Sequence, residues 1–174
     1  MKIIILDRDG VINFDSPDYI KSINEWHPIP GSIEAVRLLT QAGFSVYIAT
    51  NQAGIGRGIY SLTDLGAIHQ KMLKVIESAG GKISAIYFCP HHPDDNCPCR
   101  KPGIGLLIQI AEHSDNSLID QPFVGDSLKD IQAAKEMGCQ PILVKTGNGA
   151  KTLQQLKGPI DVYDDLLSYT RSII

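Results

Sequence analysis

Residues 1–13, Met-Lys-Ile-Ile-Ile-Leu-Asp-Arg-Asp-Gly-Val-Ile-Asn, decide the fold of this chain. The apolar run from Ile3 to Leu6 predicts a strand that is buried on both faces, as in a parallel sheet. It ends in Asp7 and Asp9, and residues two apart on an extended segment point the same way. Because two carboxylates this close repel each other, the pair predicts a compensating cation, and Mg²⁺ favours such oxygen ligands. The alternative is a strand that ends in a polar turn and carries two aspartates by chance.

Strand-like and helix-like segments alternate along the rest of the chain. This alternation predicts an α/β fold with a mainly parallel sheet, built as one domain over residues 1–174. Further strands are expected at 44–49, 83–88, 123–125 and 141–145, and helices at 32–42, 61–79, 105–113, 127–137, 152–156 and 164–172. Ser32 is expected to cap the first helix. The polar stretch from Asn13 to Pro30 is too short for a separate domain, and Tyr19 and Trp26 are expected to pack it down.

Composition and charge exclude several classes of protein. The chain has 174 residues, of which 43% are hydrophobic and 20% charged, and its net charge of −3 comes without a long run of either sign. No apolar run approaches the length of a membrane span, and cleavage of a signal peptide would remove the Asp7 motif. The acidic balance argues against a duplex nucleic-acid partner, which favours a basic face. We therefore expect a cytoplasmic monomer that binds neither membranes nor nucleic acid.

Cysteine spacing indicates a second metal site. Four possible ligands fall within a short stretch: Cys89, His91, Cys97 and Cys99. Three thiols and one imidazole close a tetrahedral Zn²⁺ site without an open position, so the ion is expected to be structural. The alternatives are two disulfides or buried free thiols, and His92 could replace His91. Cys139 follows a predicted helix end and is expected to be a core thiol.

Ligands of parallel α/β folds bind beyond the carboxyl ends of the strands. The polar groups expected at that edge are Asp7, Thr50 with Asn51, the Cys89 loop and Asp126. A hydroxyl and an amide can donate hydrogen bonds to phosphate oxygens, although a threonine that ends a strand is common.

Two further groups of charged residues are candidates for substrate and metal binding. Arg100 and Lys101 are either solvated surface charges or cations that hold an anionic substrate. Arg57 lies in a glycine-rich loop, residues 53–58, whose N–H groups could face an anion. Asp126 could be a metal ligand, the N-cap of the following helix or both, and Asp130 shares its helix face. His69 and His113 are expected to be ordinary surface or packing residues.

The motifs together resemble those of the haloacid dehalogenase superfamily of phosphatases. The resemblance is carried by Asp7-x-Asp9-Gly10, Thr50, Lys101 and the run Gly125-Asp126-Ser127-Leu128-Lys129-Asp130. Val11 stands where the superfamily usually has a threonine, a change that does not touch the carboxylates. The resemblance implies a Rossmann-like three-layer sandwich, an aspartyl-phosphate intermediate and catalytic Mg²⁺.

The resemblance also implies a role for each site residue. Asp7 would be the nucleophile and Asp9 the acid and base, and Asp9 must be protonated when substrate binds. Thr50 and Lys101 would hold the phosphoryl group. Mg²⁺ would be held by Asp7, Asp126 and the backbone carbonyl of Asp9, while Asn51, Arg57 and Arg100 would bind substrate.

Within the superfamily, the lack of a large insertion implies a minimal cap, and the zinc loop before Arg100-Lys101-Pro102 resembles two families. These are the heptose 1,7-bisphosphate 7-phosphatases, which serve lipopolysaccharide precursor synthesis, and the histidinol-phosphate phosphatases. Asp-Arg-Asp-Gly-Val-Ile-Asn, Thr-Asn-Gln-Ala-Gly-Ile-Gly-Arg-Gly and Lys-Thr-Gly-Asn-Gly favour the heptose family and a small phosphorylated sugar as substrate. The short spacer from His91 to Cys97 also fits histidinol phosphatases. The chain could also be a non-catalytic module that binds a phosphorylated ligand, or a phosphatase of nucleic-acid ends.

Overall fold

A six-stranded sheet forms the centre of the protein, and the computed structural model describes all residues from 1 to 174. The strands are β1 (Lys2–Leu6), β2 (Phe44–Asn51), β3 (Ala85–Cys89), β4 (Pro122–Gly125), β5 (Gln140–Val144) and β6 (Asp161–Tyr163). The helices are α1 (Ser32–Gln41), α2 (Ala53–Gly56), α3 (Leu62–Ser78), α4 (Gly105–Ser114), α5 (Leu128–Met137), α6 (Gly149–Gln155) and α7 (Leu166–Ile173), with a 3₁₀ turn at Pro93–Asp95. The strand order is β3-β2-β1-β4-β5-β6, and every neighbouring pair is parallel.

Strand β1 lies in the middle of the sheet and is fully buried from Ile3 to Leu6. Its side chains alternate between two cores. Ile4 and Leu6 join the core that packs under α1, α3 and α7, whereas Ile3 and Ile5 join the core under α4 and α5. The predicted three-layer α/β sandwich is therefore confirmed, because only a strand covered by helices on both sides buries a continuous apolar run.

Some boundaries differ from those expected. Strand β6 was not predicted, since three residues at a sheet edge leave no readable alternation. The N-cap of α1 is Gly31 rather than Ser32, whose hydroxyl instead donates to the carbonyl of Ile12 at 2.6 Å. The expected glycine-rich loop begins with the short helix α2.

The stretch between β1 and α1 forms no helix or strand beyond isolated bridges. Trp26 packs this stretch into the core, with 1% of its surface exposed. Lys71, from α3, donates to the carbonyls of Ile23 at 2.6 Å and Trp26 at 3.1 Å. Tyr19 is half-buried and has a φ of 66°, a left-handed conformation that is unfavourable for a tyrosine. These contacts hold an irregular segment beside the sheet edge without a separate cap domain.

Because all strands run in the same direction, β1, β2, β3 and β4 end at one edge of the sheet. The chain order reverses between β1 and β4, and this is where doubly wound folds bind ligands. None of the helices combines the length and the hydropathy that a membrane crossing requires.

Candidate active site

Three carboxylates meet at the point where β1 and β4 end. Oxygens of Asp7, Asp126 and Asp130 all lie within 4.8 Å of one another, and all three residues are buried. Burial, with the charge of Asp130 adding to it, raises the pKa of Asp7 well above its usual value and that of Asp126 to about 7. A Cβ on Gly10, which has a φ of 81°, would lie 2.1 Å from Asp126 Oδ2, so the close approach of β1 and β4 requires glycine there.

Lys101 supplies the positive charge of this acidic centre. Its Nζ lies 3.0 Å from Asp7 Oδ1, 2.6 Å from Asp130 Oδ1 and 2.7 Å from the carbonyl of Ala49, and 2% of its side chain is exposed. Burial acts to lower the pKa of Lys101, but the charges of Asp130 and Asp7 raise it above its usual value. Lys101 is therefore a buried ammonium ion, and the alternative of a solvated surface charge is wrong.

Asp130 binds both Lys101 and the residue that directly precedes α5. Besides Lys101, it accepts hydrogen bonds from the backbone N–H and the hydroxyl of Ser127. Ser127 is thus the N-cap of α5, in a capping box with Asp130, and the alternative of Asp126 as N-cap is wrong. Asp126 instead accepts the backbone N–H of Asn148 at 2.7 Å through Oδ2.

Asp7 and Asp126 each keep one oxygen without a protein partner. Asp7 Oδ1 accepts from Lys101 and from the N–H of Arg8 at 2.7 Å, while Oδ2 accepts no hydrogen bond. Asp126 likewise uses only Oδ2. With Asp130 included, three carboxylates face one lysine, which leaves an excess of two negative charges when all are ionised. This donor set fits a divalent cation with oxygen ligands.

Asp9 has a different environment, although it lies two residues from Asp7. Its Oδ1 accepts from Arg8 Nη2 at 2.8 Å and Asn13 Nδ2 at 2.9 Å, and its Oδ2 accepts from Gln52 Nε2 at 3.0 Å. Burial acts to raise the pKa of Asp9, but Arg8 and these hydrogen bonds outweigh it and hold the pKa below its usual value. In the protein without substrate Asp9 is therefore a carboxylate, whereas the mechanism inferred from sequence needs it protonated.

Arg8 is completely buried, and the sequence motifs assign no role to it. On the side away from Asp9, its Nη1 lies 3.1 Å from Nε2 of His69, a residue of α3. Burial, with the nearby charge of Arg8, lowers the pKa of His69 to about 3, so the imidazole is neutral and accepts this hydrogen bond. His69 is thus more than an ordinary packing residue, because it fixes the arginine that holds Asp9.

The end of β2 contributes Thr50, Asn51 and Gln52. Thr50 Oγ1 accepts from Gln52 Nε2 at 2.9 Å and is almost fully buried. The Asn51 side chain binds the backbone of Lys101 twice, each time at 3.0 Å, so it holds Lys101 against the end of β2. Asn51 also lines the cavity beside the acidic centre.

This cavity has a volume of about 510 Å³ and three cations at its rim, Arg100, Lys129 and Lys151. Burial and the charge of Arg100 lower the pKa of Lys129, and Arg100 Nη1 is buried without a hydrogen-bond partner. Arg57 is exposed directly after α2 and is not among the lining residues. The lining residues are Asp7, Asp9, Asp15, Ser16, Pro17, Tyr19, Ile20, Asn51, Gln52, Arg100, Lys101, Asp126, Ser127, Leu128, Lys129, Asn148, Lys151, Thr152 and Gln155.

The predicted zinc ligands form one cluster beside this cavity. Its contacts are Cys89–His91 at 3.4 Å, Cys89–Cys97 at 3.4 Å, His91–Cys99 at 3.2 Å and Cys97–Cys99 at 3.6 Å. All four cysteines are free thiols, so the disulfide alternative is wrong. His91 contributes Nδ1 to the cluster, whereas Nδ1 of His92 accepts the N–H of Asp94. Cys139 is a buried core thiol, as predicted.

Several residues of the site carry little signal in the sequence. Alternation along the first strand does point Arg8 away from Asp7 and Asp9, yet nothing in the sequence shows that it bends back to Asp9 or meets His69. Gln52 follows the Thr50-Asn51 pair directly, and that position was its only signal. Lys129 and Asn148 are far apart in the sequence from Asp7 and from each other, and only the folded structure brings both of them to the cavity.

Comparison with known proteins identifies the family. The family model described as HAD-hydrolase-like matches residues 98–168. The D-glycero-beta-D-manno-heptose-1,7-bisphosphate 7-phosphatase of Pseudomonas aeruginosa is 50% identical over 173 residues, 99% of this chain and 97% of that protein. The chain belongs to this phosphatase family. Its counterpart in Pseudomonas putida is 49% identical over 177 residues, 100% of both chains.

Solved structures of the same family share the fold. The D,D-heptose 1,7-bisphosphate phosphatase of Bordetella bronchiseptica, in complex with magnesium and phosphate, superposes with a TM-score of 0.97 at 49% identity, covering 99% of this chain and 98% of that one. The enzyme of Burkholderia thailandensis gives 0.78 at 40% identity, covering 99% and 97%. The predicted superfamily is therefore confirmed, and the chain is a phosphoric monoester hydrolase.

The raised pKa of Asp126 predicts how stability depends on pH. Between its usual value near 3.8 and about 7, the folded protein binds a proton that the unfolded chain releases. In buffer without divalent metal, the free energy of unfolding should therefore fall as the pH rises through this window, and Asp7 adds in the same direction. Asp126→Asn should reduce the fall. Chemical denaturation at pH 5 and pH 8 measures it, and an equal fall in both proteins would contradict this electrostatic picture.

Proposed function

We propose that the protein removes the 7-phosphate of D-glycero-β-D-manno-heptose 1,7-bisphosphate through an aspartyl-phosphate on Asp7. The substrate is assigned from the sequence identity of about 50%, over the full length of the chain, with phosphatases of that name. The geometry supports the mechanism, since Asp7 combines a free carboxylate oxygen with a buried lysine at one end of a polar cavity.

Asp7, Asp126 and the backbone carbonyl of Asp9 would hold Mg²⁺, an assignment that the unpaired oxygens of the two side chains support. When bound, the ion offsets carboxylate charge and polarises the phosphoryl oxygens. Lys101 contacts Asp7 Oδ1 and so fixes the orientation of the attacking carboxylate. A carboxylate needs no base to activate it, provided that its charge is compensated in this way.

The reaction balances with the side chains present. A carboxylate oxygen of Asp7 attacks phosphorus, the bond to the sugar oxygen breaks, and Asp9 gives its proton to that oxygen. Asp9, now a carboxylate, takes a proton from the water that hydrolyses the aspartyl-phosphate. Thr50 donates a hydrogen bond to a phosphoryl oxygen, while Lys101, whose three N–H groups bond to Asp7, Asp130 and the carbonyl of Ala49, holds the phosphoryl group through its positive charge. Because Arg8 and Gln52 keep Asp9 ionised in the free protein, its proton must be acquired in the substrate complex, where the adjacent phosphate charge raises its pKa.

The rim of the cavity supports a bisphosphate over histidinol phosphate. Arg100, Lys129 and Lys151 provide a second site of positive charge beyond the acidic centre, although Asp15 also lines the cavity. A second phosphate at the far end of the sugar is attracted by these cations, which strengthens binding, whereas the ammonium group of histidinol phosphate is repelled by them. Lys129→Met removes one of the rim charges and tests this discrimination.

With Mg²⁺, wild-type protein should release phosphate from the heptose bisphosphate far faster than from histidinol phosphate, and should remove only the 7-phosphate. Lys129→Met should raise KM for the bisphosphate about tenfold, as expected for loss of one charge-assisted contact, and leave p-nitrophenyl phosphate hydrolysis unchanged. Lys145→Met is the matched control, because Lys145 pairs with Asp164 on the surface. Equal turnover of the heptose bisphosphate and histidinol phosphate would contradict the proposed substrate. If no phosphomonoester is hydrolysed, the protein is better described as a non-catalytic binding module.

Asp9→Asn tests the acid–base assignment. Turnover of the sugar ester should fall by about 10² to 10⁴, because an alkoxide needs a proton to leave. With p-nitrophenyl phosphate, whose leaving group needs no acid, the variant should release a burst of p-nitrophenol and then stall at the aspartyl-phosphate. Asp15→Asn, a carboxylate of the same cavity outside the centre, should show no burst. Steady turnover of the sugar ester by Asp9→Asn would contradict the assignment.

We propose that the cysteine cluster holds one structural Zn²⁺. Ligands placed tetrahedrally around zinc, with sulfur at about 2.3 Å and nitrogen at about 2.1 Å, stand roughly 3.5 to 3.8 Å apart. The observed separations of 3.2 to 3.6 Å are close to this range. The ion would rigidify the loop that leads into Arg100 and Lys101.

Elemental analysis should find about one zinc ion per chain, since four ligands close one tetrahedral site. Cys97→Ser should lose most of the zinc, while Cys139→Ser, a thiol outside the cluster, should retain it. Full zinc occupancy in Cys97→Ser would rule out the proposed ligand set.

A cytoplasmic monomer is part of this proposal, and the four free thiols are consistent with a reducing compartment. Size-exclusion chromatography with light scattering measures the molecular mass, and a dimer would contradict it.

A further inference from the structure

Gln52 is a buried amide that contacts two groups of the proposed mechanism at once. Its Nε2 lies 3.0 Å from Asp9 Oδ2 and 2.9 Å from Thr50 Oγ1, and 3% of the residue is exposed. An amide nitrogen can only donate hydrogen bonds, so Gln52 is the donor to both of these oxygens. Two contacts from one NH₂ group set the orientation of the Gln52 amide.

Tyr60 fixes the other side of this amide. Its hydroxyl donates to Gln52 Oε1 at 2.5 Å, and 6% of the residue is exposed. The ring packs on Gly54, where a Cβ would lie 2.1 Å from Tyr60 Cε1, and its centroid is 6.3 Å from that of Tyr19. The glycine thus leaves space for a tyrosine ring that holds its hydroxyl against Gln52.

The direction of these hydrogen bonds determines where the Thr50 proton points. Thr50 Oγ1 accepts from Gln52, and its own O–H has no acceptor in the protein. The hydroxyl proton is therefore available to a phosphoryl oxygen. A flipped or displaced Gln52 would present its carbonyl to Thr50 and take that proton away from the substrate.

We propose that Gln52 and Tyr60 are positioning residues, which form a chain Tyr60–Gln52–Thr50/Asp9 that orients the phosphoryl donor and the acid–base carboxylate together. The inference rests on the proposed function, since it concerns the same reaction. Neither residue exchanges a proton with substrate. Their effect is to remove alternative orientations of Thr50 and Asp9, so it should be seen in kcat more than in KM.

Tyr60→Phe removes one hydroxyl and keeps the packing on Gly54. With Mg²⁺ and heptose bisphosphate, kcat should fall about tenfold while KM changes less than about threefold, in line with loss of one orienting hydrogen bond. The loss should be smaller in the burst of p-nitrophenol from p-nitrophenyl phosphate, because that first step does not need Asp9 as an acid. Tyr87→Phe is the matched control, since its hydroxyl bonds to His113 away from the cavity.

Gln52→Met, alone and combined with Tyr60→Phe, tests whether the two residues act through one chain. Gln52→Met should lower kcat about 100-fold, and adding Tyr60→Phe should cause no further loss, because its only partner is already gone. Thermal melting of each variant separates these effects from unfolding.

Wild-type kcat in Tyr60→Phe, or losses that multiply in the double variant, would overturn the inference while leaving the proposed function in place. An equal loss in sugar-ester turnover and in the p-nitrophenol burst would also overturn it. Absence of turnover in the wild-type protein would instead overturn the proposed function.

Discussion

The buried contacts of Lys101 with Asp7 and Asp130 are the interaction on which the rest of the site depends. Removing three charged groups from water is unfavourable, and only their mutual attraction and full hydrogen bonding offset this. The structure meets that demand with short contacts, with Asn51 holding the Lys101 backbone and with Ser127 holding Asp130. One ammonium ion therefore joins the ends of β1 and β2, the loop of the cysteine cluster and the start of α5.

A second buried cation, Arg8, pairs with Asp9. Two aspartates of one motif consequently have opposite environments, since burial and Asp130 raise the pKa of Asp7 whereas Arg8 outweighs burial and lowers that of Asp9. Carboxylates whose surroundings differ in this way can take different roles in one reaction. The two aspartates differ because Asp7 pairs with Lys101 whereas Asp9 pairs with Arg8. Gln52 also donates hydrogen bonds to both Asp9 and Thr50, which fixes the position of one relative to the other.

The fold and the acidic residues of the site could be predicted because their signals are local. An apolar run followed by Asp7, the same pattern at Asp126, and regular alternation of strands and helices together place both carboxylates at one edge of a parallel sheet. The members of the cysteine–histidine cluster were recognisable from spacing alone. The contacts of Arg8 with His69 and of Gln52 with Tyr60 could not be predicted, because they form only through tertiary packing. Strand β6 was missed because its three residues are too few to show an alternating pattern.

The most direct test of this electrostatic account is the free energy of unfolding of Lys101→Met at pH 8, alone and combined with Asp130→Asn. Loss of the ammonium ion leaves two buried carboxylates unpaired, so we expect Lys101→Met to lower the unfolding free energy by about 3 to 5 kcal/mol. Adding Asp130→Asn should restore at least half of that loss without restoring phosphate release. A Lys101→Met protein as stable as wild type would contradict the central role of this ion pair.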